Sequence, residues 1–191
     1  MRAEGARPVG KGTEELLRSV LTLLLVLGGT AGLLAALDSA PGCIQGVPRG
    51  VRPVKTVQEA ERRLRARLAL PAYFPDTLRW PPSAIRVVQD ASPAAALAFE
   101  GRAGGVELWL AQTVAGDGPI SPSLLPKVTV LGKGTVAIGA EEATLSRIVG
   151  EDGTIWHEIA WHQFGRRLAL RGKGSLDELI RMARSAHREG A

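Results

Sequence analysis

Apolar and polar positions alternate through the middle of the chain in short runs that predict β-strands. The runs are AIRVVQ (84–89), AALAFE (95–100) and VELWLAQTV (106–114), then KVTVL (127–131) and TVAIG (135–139) around a Gly-Lys-Gly turn. ATLSRIV (143–149), IWHEIAWH (155–162) and RLALR (167–171) follow, separated by turn residues. Two flanking segments change the period from two to that of a helix. In TVQEAERRLRARLAL, Val57, Ala60, Leu64 and Leu68 share one face, Thr56 and Glu59 have capping-box spacing, and the helix is expected to end before Pro71. In SLDELIRMARSAHR, Leu176, Leu179, Ile180 and Ala183 line one face, with Ser175 and Glu178 as a second capping box. Helix, strands, then helix, without β-α-β alternation, predicts an α+β domain over residues 56–188 with an antiparallel sheet packed by two helices.

A different pattern precedes it. Residues 19–37, SVLTLLLVLGGTAGLLAAL, carry no charge. As a helix they would span about 28 Å, close to the hydrocarbon thickness of a bilayer, with apolar residues on every face. They are expected to form a single transmembrane helix, an uncleaved signal anchor. Residues 1–18 then form a short cytoplasmic tail, and residues 38–55, with Pro41, Pro48 and Pro53, a Pro/Gly linker. Basic residues ahead of the segment (Arg2, Arg7, Lys11, Arg18) outnumber those just past it (Arg49, Arg52, Lys55) by four to three. By the positive-inside tendency the C-terminal domain is extracytoplasmic.

Composition adds three points. Gly28, Gly32 and Ala36 recur every four residues, a small-residue stripe along which two membrane helices can approach, so a homodimer through this helix is a candidate assembly. The one cysteine, Cys43, allows no internal disulfide. It is a candidate for lipidation, within SAPGC, or for an intermolecular disulfide in such a dimer. Between residues 49 and 67 stand Arg49, Arg52, Lys55, Arg62, Arg63, Arg65 and Arg67 against two acidic residues, a net +5 equal to that of the whole chain. These seven are candidate contacts to anionic lipid headgroups; a solvated helix face is the plainer reading. No nucleic-acid recognition motif accompanies the charge, and nucleic acid is not expected as a partner.

Candidate chemistry is sparse. HEIAWH (157–162) is one residue longer than the zinc-protease HExxH. In a helix that spacing sets His157 and His162 about 140° apart, and in a strand it sets them on opposite faces, so neither form brings both to one ion. No nucleophile–base pair or phosphate loop stands out, so no catalytic, cofactor-binding or metal residues are assigned and the chain is not expected to be an enzyme. Trp80, Trp109, Trp156 and Trp161 are read as sheet and core packing.

Trp161, Gly165, LALRG (168–172) and SLDELIRMARS (175–185), with LPAYFPD (70–76) earlier, resemble a bacterial domain family of unknown function. That family lies outside the membrane behind single anchors, often after anti-sigma-factor-type membrane helices or in relatives of lipoprotein-sorting proteins. The resemblance implies an extracytoplasmic α+β domain without known catalysis. Residues 1–18 contain no cysteine or histidine, so sigma-factor binding is not carried over. The expected function is membrane-anchored sensing or protein interaction with an unidentified extracytoplasmic protein or lipid partner. The alternative is a lipid- or lipoprotein-handling carrier holding an acyl chain between sheet and helix.

Overall fold

The computed structural model describes residues 50–89, 92–116 and 118–188. The expected membrane segment with Gly28, Gly32 and Ala36 lies outside those residues, as do Cys43 and Arg49. The described residues form strands β1 (Val51–Val54), β2 (Ala84–Val88), β3 (Ala94–Glu100), β4 (Val106–Thr113), β5 (Val128–Ile138), β6 (Glu141–Gly150), β7 (Ile155–Gln163) and β8 (Arg166–Gly172), with the runs 127–131 and 135–139 merged in β5 and β1 added ahead of the expected set. All join one antiparallel sheet in the order β1-β2-β3-β4-β8-β7-β6-β5. Each half is a meander in chain order, and the halves meet where β4 pairs β8, with Leu110 opposite Leu170.

Helices α1 (Val57–Leu64) and α2 (Leu176–Arg188) lie on one face of this sheet. Because side chains alternate along a strand, that face collects Leu97, Phe99, Leu108, Leu110, Ile159, Trp161, Leu168 and Leu170. Ala60 and Leu64 of α1 and Leu179, Met182, Ala183 and Ala186 of α2 close over them. Burying each large side chain is worth about 1.5–3 kcal/mol of transfer free energy. Gly172 lets α2 approach closely, since a Cβ there would stand 3.0 Å from Leu179 Cδ1 and 3.4 Å from Leu108 Cδ1.

The opposite face is built differently. Register aligns Ala96, Ala111, Ala169 and Ala160 across four neighbouring strands, a trough of small side chains. The β4–β5 connection crosses this face, with Leu124 fully buried among Ala94, Ala96, Ala98, Ala111 and Trp109. Arg171, only 6% exposed, secures that crossing: its Nη1 donates to the Pro126 carbonyl at 2.8 Å, and its Nη2 pairs with Glu158 at 2.6 Å.

The expected α+β class, an antiparallel sheet packed by two helices behind a membrane segment that lies outside the described residues, is corrected. The described chain is predominantly one eight-stranded antiparallel sheet with two small helices of eight and 13 residues. No helix among the described residues is long and apolar enough to cross a membrane. Three local events shift the balance toward strand. First, α1 ends at Leu64 rather than near Pro71 because Arg65 turns left-handed at φ 53°; its N–H bonds the Arg62 carbonyl while Ala66 N–H bonds that of Glu61. That is the Schellman closure of a helix, on an arginine rather than the usual glycine. Second, Val51–Val54, at the end of the Pro/Gly stretch, pairs with β2 as an edge strand. Third, Gly132-Lys133-Gly134 is not a turn: it runs through β5, paired with Arg147, Ser146 and Leu145, and the bulge falls at Leu131. The β5–β6 reversal comes at Gly139 and Ala140 instead.

Candidate functional site

The chain enters the sheet at Val51, and the register shows what shares that end. Val51 lies beside Val88, Val88 beside Ala94, and Ala94 beside Thr113. Arg166 begins β8 opposite Gln163 and bridges Gly116 just past β4. Helix α1 starts after Lys55 at the far end of β1 and runs back toward this one. There Gln89 Nε2, just beyond β2, donates to the Arg63 carbonyl at 2.8 Å. Arg62, Arg63, Arg65 and Arg67 therefore gather at the entry end together with Arg166. Arg52 is exposed one residue into β1. Lys55 is separated from them by the length of α1, about 12 Å at 1.5 Å per residue, and its N–H bonds Glu59 Oε2 at 3.0 Å. Of the basic residues singled out from sequence and described, the fold thus clusters the four of 62–67 and leaves Lys55 out.

Beside this cluster a cleft of about 530 Å³ opens between the segment 67–70 and the β7–β8 hairpin, lined by Arg67, Leu68, Ala69, Leu70, Gln163, Phe164, Arg166 and Leu168. Its first wall is an extended segment held by side chains. Gln112, fully buried on β4, accepts from Ala69 N–H at 2.8 Å and donates to the Ala69 carbonyl at 2.9 Å. Glu61 accepts from Leu68 N–H at 3.0 Å, and Arg166 Nη1 donates to the Arg67 carbonyl at 2.7 Å. The second wall is a tight turn: Phe164 and Gly165 both have positive φ, 50° and 66°, as a two-residue type I′ hairpin requires. Phe164 is 64% exposed at its tip. Under the hairpin, Trp161 Nε1 donates to Gln163 Oε1 at 3.2 Å and Gln163 Nε2 to the Ala186 carbonyl at 3.4 Å.

A second cleft, about 480 Å³, lies on the alanine face between the crossing segment and Glu158, Ala160, Arg167, Ala169 and Arg171. Its buried arginine is committed to Glu158 and Pro126, so its polar groups serve the crossing.

His157 and His162 both stand on β7, five residues apart and so on opposite faces; His162 is exposed, and His157 Nδ1 is buried without a hydrogen-bond partner among the described residues. Among the described residues no group of three or more His, Cys, Asp or Glu is placed to hold a metal ion. Three titratable groups, half-buried Glu59 and Tyr73 and exposed Asp152, depart from their usual range. The Lys55 N–H holds the Glu59 carboxyl low, the Thr154 hydroxyl does so for Asp152, and donation to Glu178 raises the Tyr73 phenol. Glu178, expected as the capping partner of Ser175, takes the Tyr73 hydroxyl at 2.6 Å.

Phe164, Arg166, Gln112 and Arg171 escaped the sequence reading. A turn between IWHEIAWH and RLALR was legible, but not its position beside residues nearly a hundred positions earlier. No protein-family model, no curated protein and no solved structure matches the chain.

Proposed function

We propose that this chain is a single-pass membrane protein whose β-rich domain acts outside the cytoplasm as a non-catalytic sensing or protein-interaction module. Anchorage is supported by the uncharged residues 19–37, long enough to cross a bilayer, and the outward orientation by the basic bias ahead of them. In this reading Gly28, Gly32 and Ala36 pack a second copy, and the domain belongs with the anchored extracytoplasmic domains it resembles.

The observation that carries the choice between interaction module and lipid carrier is the filling of the space between sheet and helices. Leu97, Phe99, Leu108, Leu110 and Leu170 are fully buried there. The pocket at the α2 contact, lined by Leu78, Leu108, Leu179 and Met182, holds about 80 Å³. A small-molecule site usually takes about 300–1,000 Å³. An acyl chain would have to displace packed side chains rather than enter waiting space.

The test is extraction of lipid from the full chain purified out of membranes in mild detergent. The proposal expects the protein in the membrane fraction, resistant to alkaline wash, with no lipid retained in fixed ratio through detergent exchange. One tightly held acyl lipid per chain would favour the carrier, and full-length chain released by alkaline wash would remove the anchor.

A further inference from the structure

We infer that the sheet end at which the chain enters, bearing Phe164 and Arg62, Arg63, Arg65, Arg67 and Arg166, docks end-on against an anionic phospholipid surface. The inference rests on the proposed membrane anchorage and adds the face, the orientation and the lipid charge.

Phe164 supplies the first argument. It occupies the first central position of a type I′ turn, where the backbone needs positive φ and Asn is the favoured residue. A bulky side chain there is a conformational outlier. Its ring does not repay that strain by packing, since 64% of the residue remains exposed. An aromatic held in strained backbone and presented to solvent at a hairpin tip suits insertion into the headgroup region, where apolar side chains beside basic ones bind bilayer interfaces.

Charge supplies the second. Arg62, Arg65 and Arg67 are exposed, and no ion pair engages them among the described residues. Arg63 is partly offset by Glu59 at 2.9 Å. Glu61 at this end is turned inward onto Leu68 N–H. The acids Glu141 and Glu142 stand at the β5–β6 turn, the far corner of the same end, so contact is confined to the α1 and β7–β8 corner. Among the described residues the opposite end mixes both signs, with Glu100, Glu107, Asp152 and Asp177 beside Lys55, Arg102, Lys127 and Lys173. Each basic residue near an anionic bilayer favours contact by about 1 kcal/mol, roughly five-fold.

Connectivity supplies the third. Residues 38–49 link the membrane segment to this end and reach at most about 40 Å even when fully extended. The end that carries the arginines and Phe164 is the one the tether holds at high effective concentration near lipid.

The experiment uses the full chain reconstituted into vesicles of phosphatidylcholine alone or mixed with phosphatidylglycerol. Cys43→Ser removes the native thiol, and the fluorophore NBD is placed at Phe164→Cys or, as the opposite-end control, at Arg102→Cys. Flotation of the vesicles reports the anchor independently of the dye. Docking predicts a blue shift and protection from iodide at position 164 only with phosphatidylglycerol, reversed by salt, with no response at 102. Adding Arg62→Glu, Arg65→Glu and Arg67→Glu should abolish the shift, and the three Arg→Lys changes should retain it. A 164 label equally quenched in both vesicles, or labels responding alike at both ends, overturns the docking while leaving the anchor standing. Chain that floats with neither vesicle overturns the anchored reading and the docking with it.

Discussion

The Gln112 side chain and the Ala69 backbone form a closed pair of hydrogen bonds, N–H to Oε1 at 2.8 Å and Nε2 to carbonyl at 2.9 Å, inside the protein. One strand residue thereby does for the 65–70 segment what a neighbouring strand would do, satisfying both backbone groups where water is scarce. An unmade bond to a buried polar group costs about 1–3 kcal/mol. Gln112→Leu should therefore lower unfolding stability by about 2–4 kcal/mol, read by equilibrium urea unfolding on tryptophan emission. Amide exchange at Ala69 should accelerate along with it. A loss under about 0.5 kcal/mol would mean the segment holds its place by apolar contacts alone.

Arg171 plays the matching part on the alanine face. Its side chain is 8% exposed and that of Glu158 is 22%, so the pair is shielded but not dry. Removing one member of a buried pair costs about 3–5 kcal/mol, and partial solvation brings this toward about 2–3 kcal/mol. Arg171→Met should show that loss, together with proteolytic cleavage within residues 118–127, whose Pro126 carbonyl loses its donor. Glu158→Gln should cost less, because the amide oxygen can still accept.

Two residues hold left-handed backbone without being glycine, and each yields a stabilising change. Arg65 at φ 53° closes α1, and Phe164 at φ 50° opens the β7–β8 turn. The left-handed region costs an ordinary residue about 1–2 kcal/mol. Arg65→Gly should raise stability by up to about 1 kcal/mol, since glycine is the preferred residue at that cap. Phe164→Asn should gain about 0.5–1 kcal/mol while removing the exposed ring. Thermal unfolding of both variants checks this, and a clear loss in Phe164→Asn would show that the ring stabilises the hairpin.

The acid and alkaline limbs of stability have separate sources. Asp152 accepts from the Thr154 hydroxyl at 2.7 Å and Glu59 from Lys55 N–H at 3.0 Å, which hold both carboxyls below their ordinary values of 3.8 and 4.5. Each binds fewer protons folded than unfolded between those limits. Its contribution is complete above the ordinary value and lost as pH falls through the lowered one. Asp152→Asn and Glu59→Gln should flatten the acid limb below pH 4.5. Tyr73 is the converse: hydrogen bonding to Glu178 raises it above 10.0, so its contribution is present below that pH and lost as the phenol ionises. Tyr73→Phe should flatten the alkaline limb. pH-dependent urea midpoints read both.

What could be seen in advance depended on how local the cause was. The alternation that set His157 and His162 on opposite sides of a strand is written in six consecutive residues, and β7 follows it. The early stop of α1 was hidden because arginine at 65 is a good helix former, and only the Glu61 and Arg62 carbonyls with Gln112 beyond them make the left-handed exit worthwhile. Gly132-Lys133-Gly134 read as a turn because glycines punctuate strands; pairing with β6 along its whole length overrides that preference. The alanine trough is invisible in one dimension, because Ala96, Ala111, Ala160 and Ala169 align only through register. The arginine corner was half legible, since residues 62–67 are contiguous, while Phe164 and Arg166 join them through the β4–β8 pairing.

The most direct measurement of the central claim, a β-rich domain tethered outside the cytoplasm, places one thiol on the exposed edge strand. Lys133→Cys in a Cys43→Ser full chain is treated in spheroplasts with a membrane-impermeant maleimide, before and after lysis, and the membrane pellet is assayed. The account predicts full labelling in intact spheroplasts with the chain in the pellet. Labelling only after lysis, or a labelled chain in the supernatant, would contradict it.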